Sequence, residues 1–294
     1  MPNFKSLSIL SKSLLALFPI FILLFIILMI VTFSELDSIS KTVYENEKQQ
    51  LQKDMLSALS VKTETLKNIV IAISQNSSMI NKMYDEERED IYKEISRLYH
   101  ALEMSGSFKK PLIQVVDAMG TSYVKSWDKK AYGAIVSDRE SVQFVQNNQK
   151  TFIGNEVTRG GLMMVATSPL LLQDEDAEEE DEFLGSIDFI LRFDNLVFKK
   201  NDPKDRRDLL VLVAKEQMEK AIYVKDPSYV GKYYVDLKKE TINPNFLAGA
   251  QSINMEQLLR DGYSVDDNYF YTYETIKDAH GKGVGIFLLG KPIR

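Results

Sequence analysis

The chain has no cysteine, so neither a disulfide framework nor thiolate chemistry is open to it. Its two histidines, His100 and His280, stand far apart in sequence and give no cluster for a His-based metal or catalytic centre. Basic residues are outnumbered, 36 Lys and Arg against 42 Asp and Glu, for a net charge of −6. No basic stripe is present to track phosphates, which argues against nucleic acid as a partner. No nucleophile elbow appears. Residues 285–291, GIFLLGK, begin like a phosphate-binding loop, but Pro292 takes the Ser/Thr place and the interior reads as a strand. No catalytic constellation and no cofactor are therefore expected. Neither Gly nor Pro occurs between residues 34 and 73, so nothing there interrupts a helix. Long apolar runs are missing too, except at one place.

That place is residues 14–33, LLALFPIFILLFIILMIVTF, with one Pro and one Thr as its only departures from apolar or small character. About twenty such residues cross the hydrocarbon core of a bilayer as a helix. Lys5 and Lys12 precede the run, and Glu35 and Asp37 follow it. The positive-inside rule then makes residues 1–13 cytoplasmic and puts the rest beyond the membrane. A cleaved signal peptide would have a shorter apolar core and small residues at its cleavage site. Thr32, Phe33, Ser34 and Glu35 offer none, so the run is read as an uncleaved anchor. A cysteine-free exterior suits a bacterial envelope, and the inner membrane is the expected location, with the bulk of the chain periplasmic.

From residue 34 to about 73 the chain reads as one helix. Leu36, Ile39, Val43, Leu51, Met55, Leu59, Leu66, Ile69 and Ile73 recur at steps that mark a single apolar stripe. Such a helix spans roughly 60 Å. It is read as a stalk that pairs with its copy in a homodimer. Residues 74–78, SQNSS, favour a turn. A second helix is expected over 86–104 and ends near Gly106. Strands are expected at 112–116 and 122–127, a short helix at 138–147 with Asp138 as N-cap, and three strands at 151–157, 161–172 and 183–193. The charged segment 201–207, NDPKDRR, reads as a linker. A weaker and smaller copy follows: strands at 209–214 and 221–224, a helical turn at 217–219, a helix at 255–260, and a last pair at 268–276 and 284–289. The pattern leaves 230–250 undetermined.

Alternation along 122–127 puts Tyr123, Lys125 and Trp127, the only tryptophan, on one face of a strand. Arg139 and Arg159 could each grip a carboxylate through two parallel hydrogen bonds. Asp188 interrupts the apolar strand around it and requires a partner, either a ligand or one of those arginines. These residues, with Tyr132, are the candidate ligand-binding set for a small solute, for instance a carboxylate. Of the nine residues 174–182, eight are acidic. They lack the spacing and the Gly of an EF-hand loop and read as a solvated hairpin connection.

Taken with the anchor, the motifs resemble a known family. Met119 to Trp127, then Tyr132-Gly133, then Arg139, look like the turn, strand, "YG" and following Arg of the double Cache extracytoplasmic sensors found in bacterial chemoreceptors, histidine kinases and diguanylate cyclases. Arg159-Gly160-Gly161, Ser168-Pro169-Leu170 and Gly185 to Phe189 look like the second half of that module. The resemblance covers about residues 60–294. That family's amino-acid-binding signature, an Arg shortly before a Trp, is not matched, because Lys125 stands before Trp127. The resemblance implies an α+β fold: a long membrane-anchored stalk and a second helix over 34–105, a membrane-distal PAS-like module over 106–200 and a membrane-proximal one over 208–294, both with antiparallel sheets. It implies a sensor whose ligand occupancy passes through the stalk helices in signal transduction or chemotaxis. Receptors of that family continue through a second membrane helix into a signalling domain, and no second apolar run of membrane length follows residue 33 here. An envelope scaffold that binds another protein and no small molecule is the alternative.

The charge asymmetry around the anchor sets a first test. A periplasm-active reporter fused after Arg294 is expected to be active, and the same fusion with a cytoplasm-active reporter silent. The reverse pattern in matched fusions would refute the topology.

Overall fold

The computed structural model describes residues 9–106, 108–173, 181–196 and 206–293. Helix α1 spans Ile9–Ser74 without a break, Pro19 included. Its apolar stretch is exposed along its whole described length: Phe21 is 67% and Ile30 63% accessible. It is the one helix among the described residues long and apolar enough to cross a membrane, with a mean hydropathy of 2.9 over eighteen residues. Leu36, Ile39 and Val43 are exposed as well, whereas Leu51, Met55, Leu66 and Val70 are buried. The stripe read as one dimer seam is thus two: from Leu51 onward it packs on its own chain. Polar contacts add to that packing. Gln52 Nε2 donates to Tyr273 O at 2.8 Å, Asp54 pairs with Arg207, and Ser74 Oγ donates to Ser168 Oγ at 2.9 Å.

The turn expected at residues 74–78 is only two residues long. Asn76 caps a further helix, α2, Ser77–Tyr84, which buries Met79 and Met83. Helix α3, Arg88–Met104, buries Ile91 and Ile95, and Gly106 follows in the left-handed region, as the sequence leads one to expect.

Strands β1 (Leu112–Asp117), β2 (Ser122–Lys125), β3 (Phe152–Thr158), β4 (Gly161–Leu172) and β5 (Glu182–Arg192) form a five-stranded antiparallel sheet in the order β2-β1-β5-β4-β3. Helix α4, Glu140–Asn148, packs on β3, β4 and β5. Its Val145 meets Phe152, Met163, Val165 and Ile190. Strand alternation puts Ser168 and Phe189 on the other face, where Ser74 and Phe108 meet them. The acidic segment expected to join β4 and β5 lies largely outside the described residues, as does most of the 201–207 linker.

The second sheet is larger than its sequence suggests. Strands β6 (Asp208–Ala214), β7 (Tyr229–Val230), β8 (Tyr233–Val235), β9 (Tyr263–Val265), β10 (Tyr269–Lys277) and β11 (Gly283–Pro292) form six antiparallel strands in the order β7-β8-β6-β11-β10-β9. Helices α5 (Pro244–Ser252) and α6 (Met255–Asp261) complete it. Strands of two and three residues carry no readable period, which is why 230–250 stayed undetermined. Residues 221–224 are a turn, not a strand; Ile222 and Tyr223 are exposed, and one backbone bond, Tyr223 N to Arg159 O, ties the segment to the first module.

A buried acid joins the two modules. Asp236, just past β8, accepts from Leu162 N at the start of β4 and from Arg192 Nη2 at 3.2 Å. Arg192 also donates to Gly160 O and to Asp194, which in turn accepts from Lys238 N. Gly161 sits in this clasp at φ +105°, where a Cβ would lie 2.4 Å from Asp236 Oδ2. Gly161→Ala is therefore expected to cost about 2–4 kcal/mol, through backbone strain and displacement of a buried carboxylate. In a domain of this size that is a fall of roughly 5–15 °C in Tm by calorimetry. A change within 1–2 °C would mean the clasp is not as tight as drawn.

Candidate functional site

The α4 face of the first sheet carries the chemistry. In β5, alternate residues Ser186, Asp188 and Ile190 point toward α4, and the register sets Gln114 of β1 and Thr167 of β4 on either side of Asp188. Lys125 of the edge strand β2 lies opposite Gln114. A polar row, Lys125, Gln114, Asp188 and Thr167, thus crosses four strands, each step about 4.8 Å.

Arg139 reaches this face from the start of α4. The sequence suggests Asp138 as the helix cap. Instead Arg139 takes that position in extended backbone, with no side-chain cap of its own, and turns its guanidinium inward. Nη1 donates to Asp188 Oδ2 at 2.5 Å, Nη2 to Glu156 Oε2 at 3.0 Å and to Ser141 Oγ at 2.9 Å. Glu156 of β3 also accepts from Ser141 Oγ at 2.8 Å and lies 3.5 Å from Ser141 N. An acid borrowed from a strand therefore does the work of an N-terminal cap, where the helix dipole favours negative charge.

All three charged groups are out of water: the Asp188 side chain is 0%, Glu156 7% and Arg139 13% exposed. Burial by itself would lower the Arg139 pKa, but the two carboxylates hold it above its ordinary value. Burial raises the Asp188 pKa, and Arg139 only partly offsets it. With both acids ionised, the trio carries one negative charge in excess.

Three neighbouring polar atoms on this face are buried and lack a hydrogen-bond partner: Gln114 Nε2, Asp188 Oδ1 and Thr167 Oγ1. Thr167 stands close enough to Asp188 to favour its ionised form, yet makes no bond of ordinary geometry. Such orphans cost about 1–3 kcal/mol each and are uncommon in native interiors. Three side by side leave hydrogen-bonding capacity unused on this face.

The other predicted residues divide into groups. Lys125 Nζ lies 5.9 Å from the Trp127 ring centroid, and Trp127 sits beyond the end of β2, 43% exposed. Burial lowers the Lys125 pKa. Tyr123 does not share their face as simple alternation requires. The register slips between Val115 and Val116, so Tyr123 becomes the extra residue of a bulge, which re-aims a side chain; its hydroxyl donates to Glu86 O at 2.9 Å. Tyr132 stacks on Arg88 instead of joining Arg139. Arg159 is exposed in the β3–β4 turn. Arg139 and Asp188 do come together, but as each other's partners: Arg139 is no open grip for an anion. Glu156, Gln114 and Thr167 escaped the sequence reading. Only Glu156 left a signal, a charge at the inward parity of Phe152 and Gly154. Among the described residues no group of three or more His, Asp or Glu is placed to hold a metal ion.

Comparisons with known proteins bear on the fold. No family model and no curated protein sequence matches the chain. Among solved structures it is similar to the sensor domain of the Vibrio cholerae histidine kinase DctB, with a TM-score of 0.47 and 11% identity over 85% of this chain and 97% of that one. It is also similar to an extracellular ligand-binding receptor from Desulfohalobium retbaense, with a TM-score of 0.37 and 15% identity; 85% of this chain aligns there, to 39% of that receptor's length. The ligand-binding domain of the Pseudomonas aeruginosa amino-acid chemoreceptor PctC, solved with GABA, is a further similar structure, with a TM-score of 0.30 and 11% identity over 78% of this chain and 99% of that one.

Removing Arg139 tests the trio. Arg139→Ala leaves two buried carboxylates facing one another, and at pH 7 a loss of about 3–5 kcal/mol is expected. Without the cation nothing but Thr167 offsets the burial that already raises the Asp188 pKa, and that pKa rises further. Stability from such groups is complete below their unfolded values and is lost as pH rises through the raised folded ones. The deficit should therefore shrink as pH falls from 7 toward about 4.5. Urea titrations of parent and variant at both pH values check this; an equal deficit at the two would contradict a buried ion trio.

Proposed function

We propose that the first sheet module binds a small polar solute on the row Gln114, Asp188 and Thr167, with Lys125 and Trp127 at its margin, and that the chain is the sensing part of a membrane-anchored bacterial receptor. The observation that carries this is the set of three adjacent buried polar atoms without partners.

The second module supports the choice of the first. Its corresponding face is apolar and filled. Leu210, Leu212, Ile286 and Leu288 lie under Phe246 of α5, which stacks on Tyr271 and tilts against Tyr269. Gly290 makes room for that ring; a Cβ there would stand 2.0 Å from it. One module has a polar face with unmet hydrogen bonds; the other has a packed face, with a cavity of about 710 Å³ only at its margin, beside Gly249, Asp266 and Tyr269. On this reading the first is the binding module and the second a structural spacer.

Occupancy would reach the membrane through α1. Its last residue, Ser74, bonds to Ser168 of β4, which also meets Thr151 Oγ1 at 2.9 Å. Ser168 neighbours Thr167 in the same strand, on the opposite face. A solute biases this path only by binding two arrangements of the sheet and helices with different affinity. The exposed residues Leu36, Ile39 and Val43 fit pairing with a second copy, and an extracytoplasmic placement follows from the anchor's flanking charges.

The test is a thermal-shift screen of the full chain in detergent against small carboxylates and other polar metabolites. A solute at a hundredfold excess over its Kd stabilises by about 2.7 kcal/mol. Thr167→Val and Gln114→Leu each replace an orphaned polar group by an apolar one of similar shape. Their unliganded Tm should hold or rise slightly, while the shift produced by a bound solute should fall by at least tenfold in affinity, about 1.4 kcal/mol. If a solute shifts both variants as it shifts the parent, the row is not its site. If nothing shifts the parent, a scaffold that binds another protein becomes the better reading.

A further inference from the structure

Arg88 is the first residue of α3, a poor place for a cation, because the helix N-terminus carries partial positive charge. Glu87 before it supplies no side-chain cap. Helix energetics therefore give no reason for an arginine here, and its contacts show what it does. Nε donates to Tyr123 O at 3.0 Å and Nη2 to Lys129 O at 2.7 Å. The guanidinium carbon lies 3.7 Å from the centroid of the Tyr132 ring. One planar group thus holds three points of the segment 123–132, using the fork and the stacking face that distinguish arginine from lysine. The grip is returned from the other side, where the Tyr123 hydroxyl donates to Glu86 O. Lys129 also pairs with Glu89 at 2.5 Å, but both are about half exposed and such pairs contribute little.

We infer that Arg88 is a positioning residue for the proposed binding face: it fastens the β2 edge and the loop carrying Lys125 and Trp127 to the helical layer. The inference rests on the proposed solute site for its purpose, though not for its test. Without the clasp, the segment would keep its β2 ladder bonds, those between Ser126 and Ile113 and that of Gly133 N to Ser122 O, but lose the hold of Arg88 on Tyr123, Lys129 and Tyr132. It would then open locally while the rest of the module stays folded. The clasp also gives α3 a direct hold on the margin of the site, so that a change in this loop is felt in the helices.

Trp127, the only tryptophan, lies between the held points, so its fluorescence reports on this segment alone. In the full chain in detergent, with no solute added, acrylamide quenching is the probe. Arg88→Ala should raise the Stern–Volmer constant about twofold, as a half-exposed ring becomes freely accessible. Arg88→Lys keeps the charge over Tyr132 but loses the fork, and should fall between parent and Ala. Tyr132→Leu should act like Arg88→Ala, and the double variant should exceed neither by much, since the two act as one unit. Glu89→Gln should leave quenching as in the parent. Should Arg88→Ala fail to fold, Arg88→Lys and Tyr132→Leu decide the matter. Parental quenching in Arg88→Ala, or in those two variants if they stand in for it, would overturn the inference. So would an effect of Glu89→Gln equal to theirs. Because no solute is present, these outcomes are separate from the thermal-shift screen, in which only the solute site is at stake.

Discussion

A guanidinium buried between two carboxylates decides where α4 lies, and α4 in turn covers the polar row proposed to bind a solute. Arg139 spans from β5 to β3 across the intervening β4, bonding Asp188 and Glu156. Glu156 in turn reaches the first turn of α4 through Ser141. The helix is held over the sheet by charge at its N-terminal end and by Val145 against Phe152, Val165 and Ile190 further along. An apolar contact alone fixes distance but leaves rotation loose. The ion trio fixes the helix start to one register, and buried ionic groups are better suited to that than to raising stability.

The same reasoning applies at a larger scale. The two modules are joined by Asp236, a second buried acid with a raised pKa, set by burial and partly offset by Arg192. Its partners lie at the start of β4 and at the end of β5, the strand that carries Asp188. Helix α1 is bonded to the second module through Gln52 and to the first through Ser74. Each link is a directional polar contact against an otherwise apolar packing surface.

How much of this could be read beforehand depended on range. The anchor and the strands of the first sheet were legible because length, charge and alternation are local. Arg139 and Asp188 were legible as charges out of place, although their pairing was left open. Helix α2 was missed because eight residues opening on two serines resemble a turn; only the spacing of Met79 and Met83 gives it away. Tyr123 was put on the wrong face because alternation presumes a ladder without a bulge. Gln114 and Thr167 are ordinary strand residues until register sets them beside Asp188, and Asp236 meets Leu162 across 74 positions. No local pattern encodes such meetings.

The proposed binding face is also the place where hydrogen bonding is incomplete. One cation among two acids leaves Asp188 Oδ1 without a donor, beside the Thr167 hydroxyl and the Gln114 amide nitrogen, which lack partners of their own. A proton can satisfy this oxygen, and burial, which disfavours the charged carboxylate, raises the Asp188 pKa. A donor group on a solute can satisfy the oxygen equally well, and it would favour the ionised carboxylate. On the proposed reading, proton and solute would compete for one oxygen, each weakening the other's hold by the same factor, since such coupling is reciprocal. The second module faces no such choice: Phe246 already occupies its equivalent space. The two sheets share a strand arrangement and differ in what lies under the helix: packed rings in the second, and in the first a row of polar groups whose hydrogen bonds are incomplete.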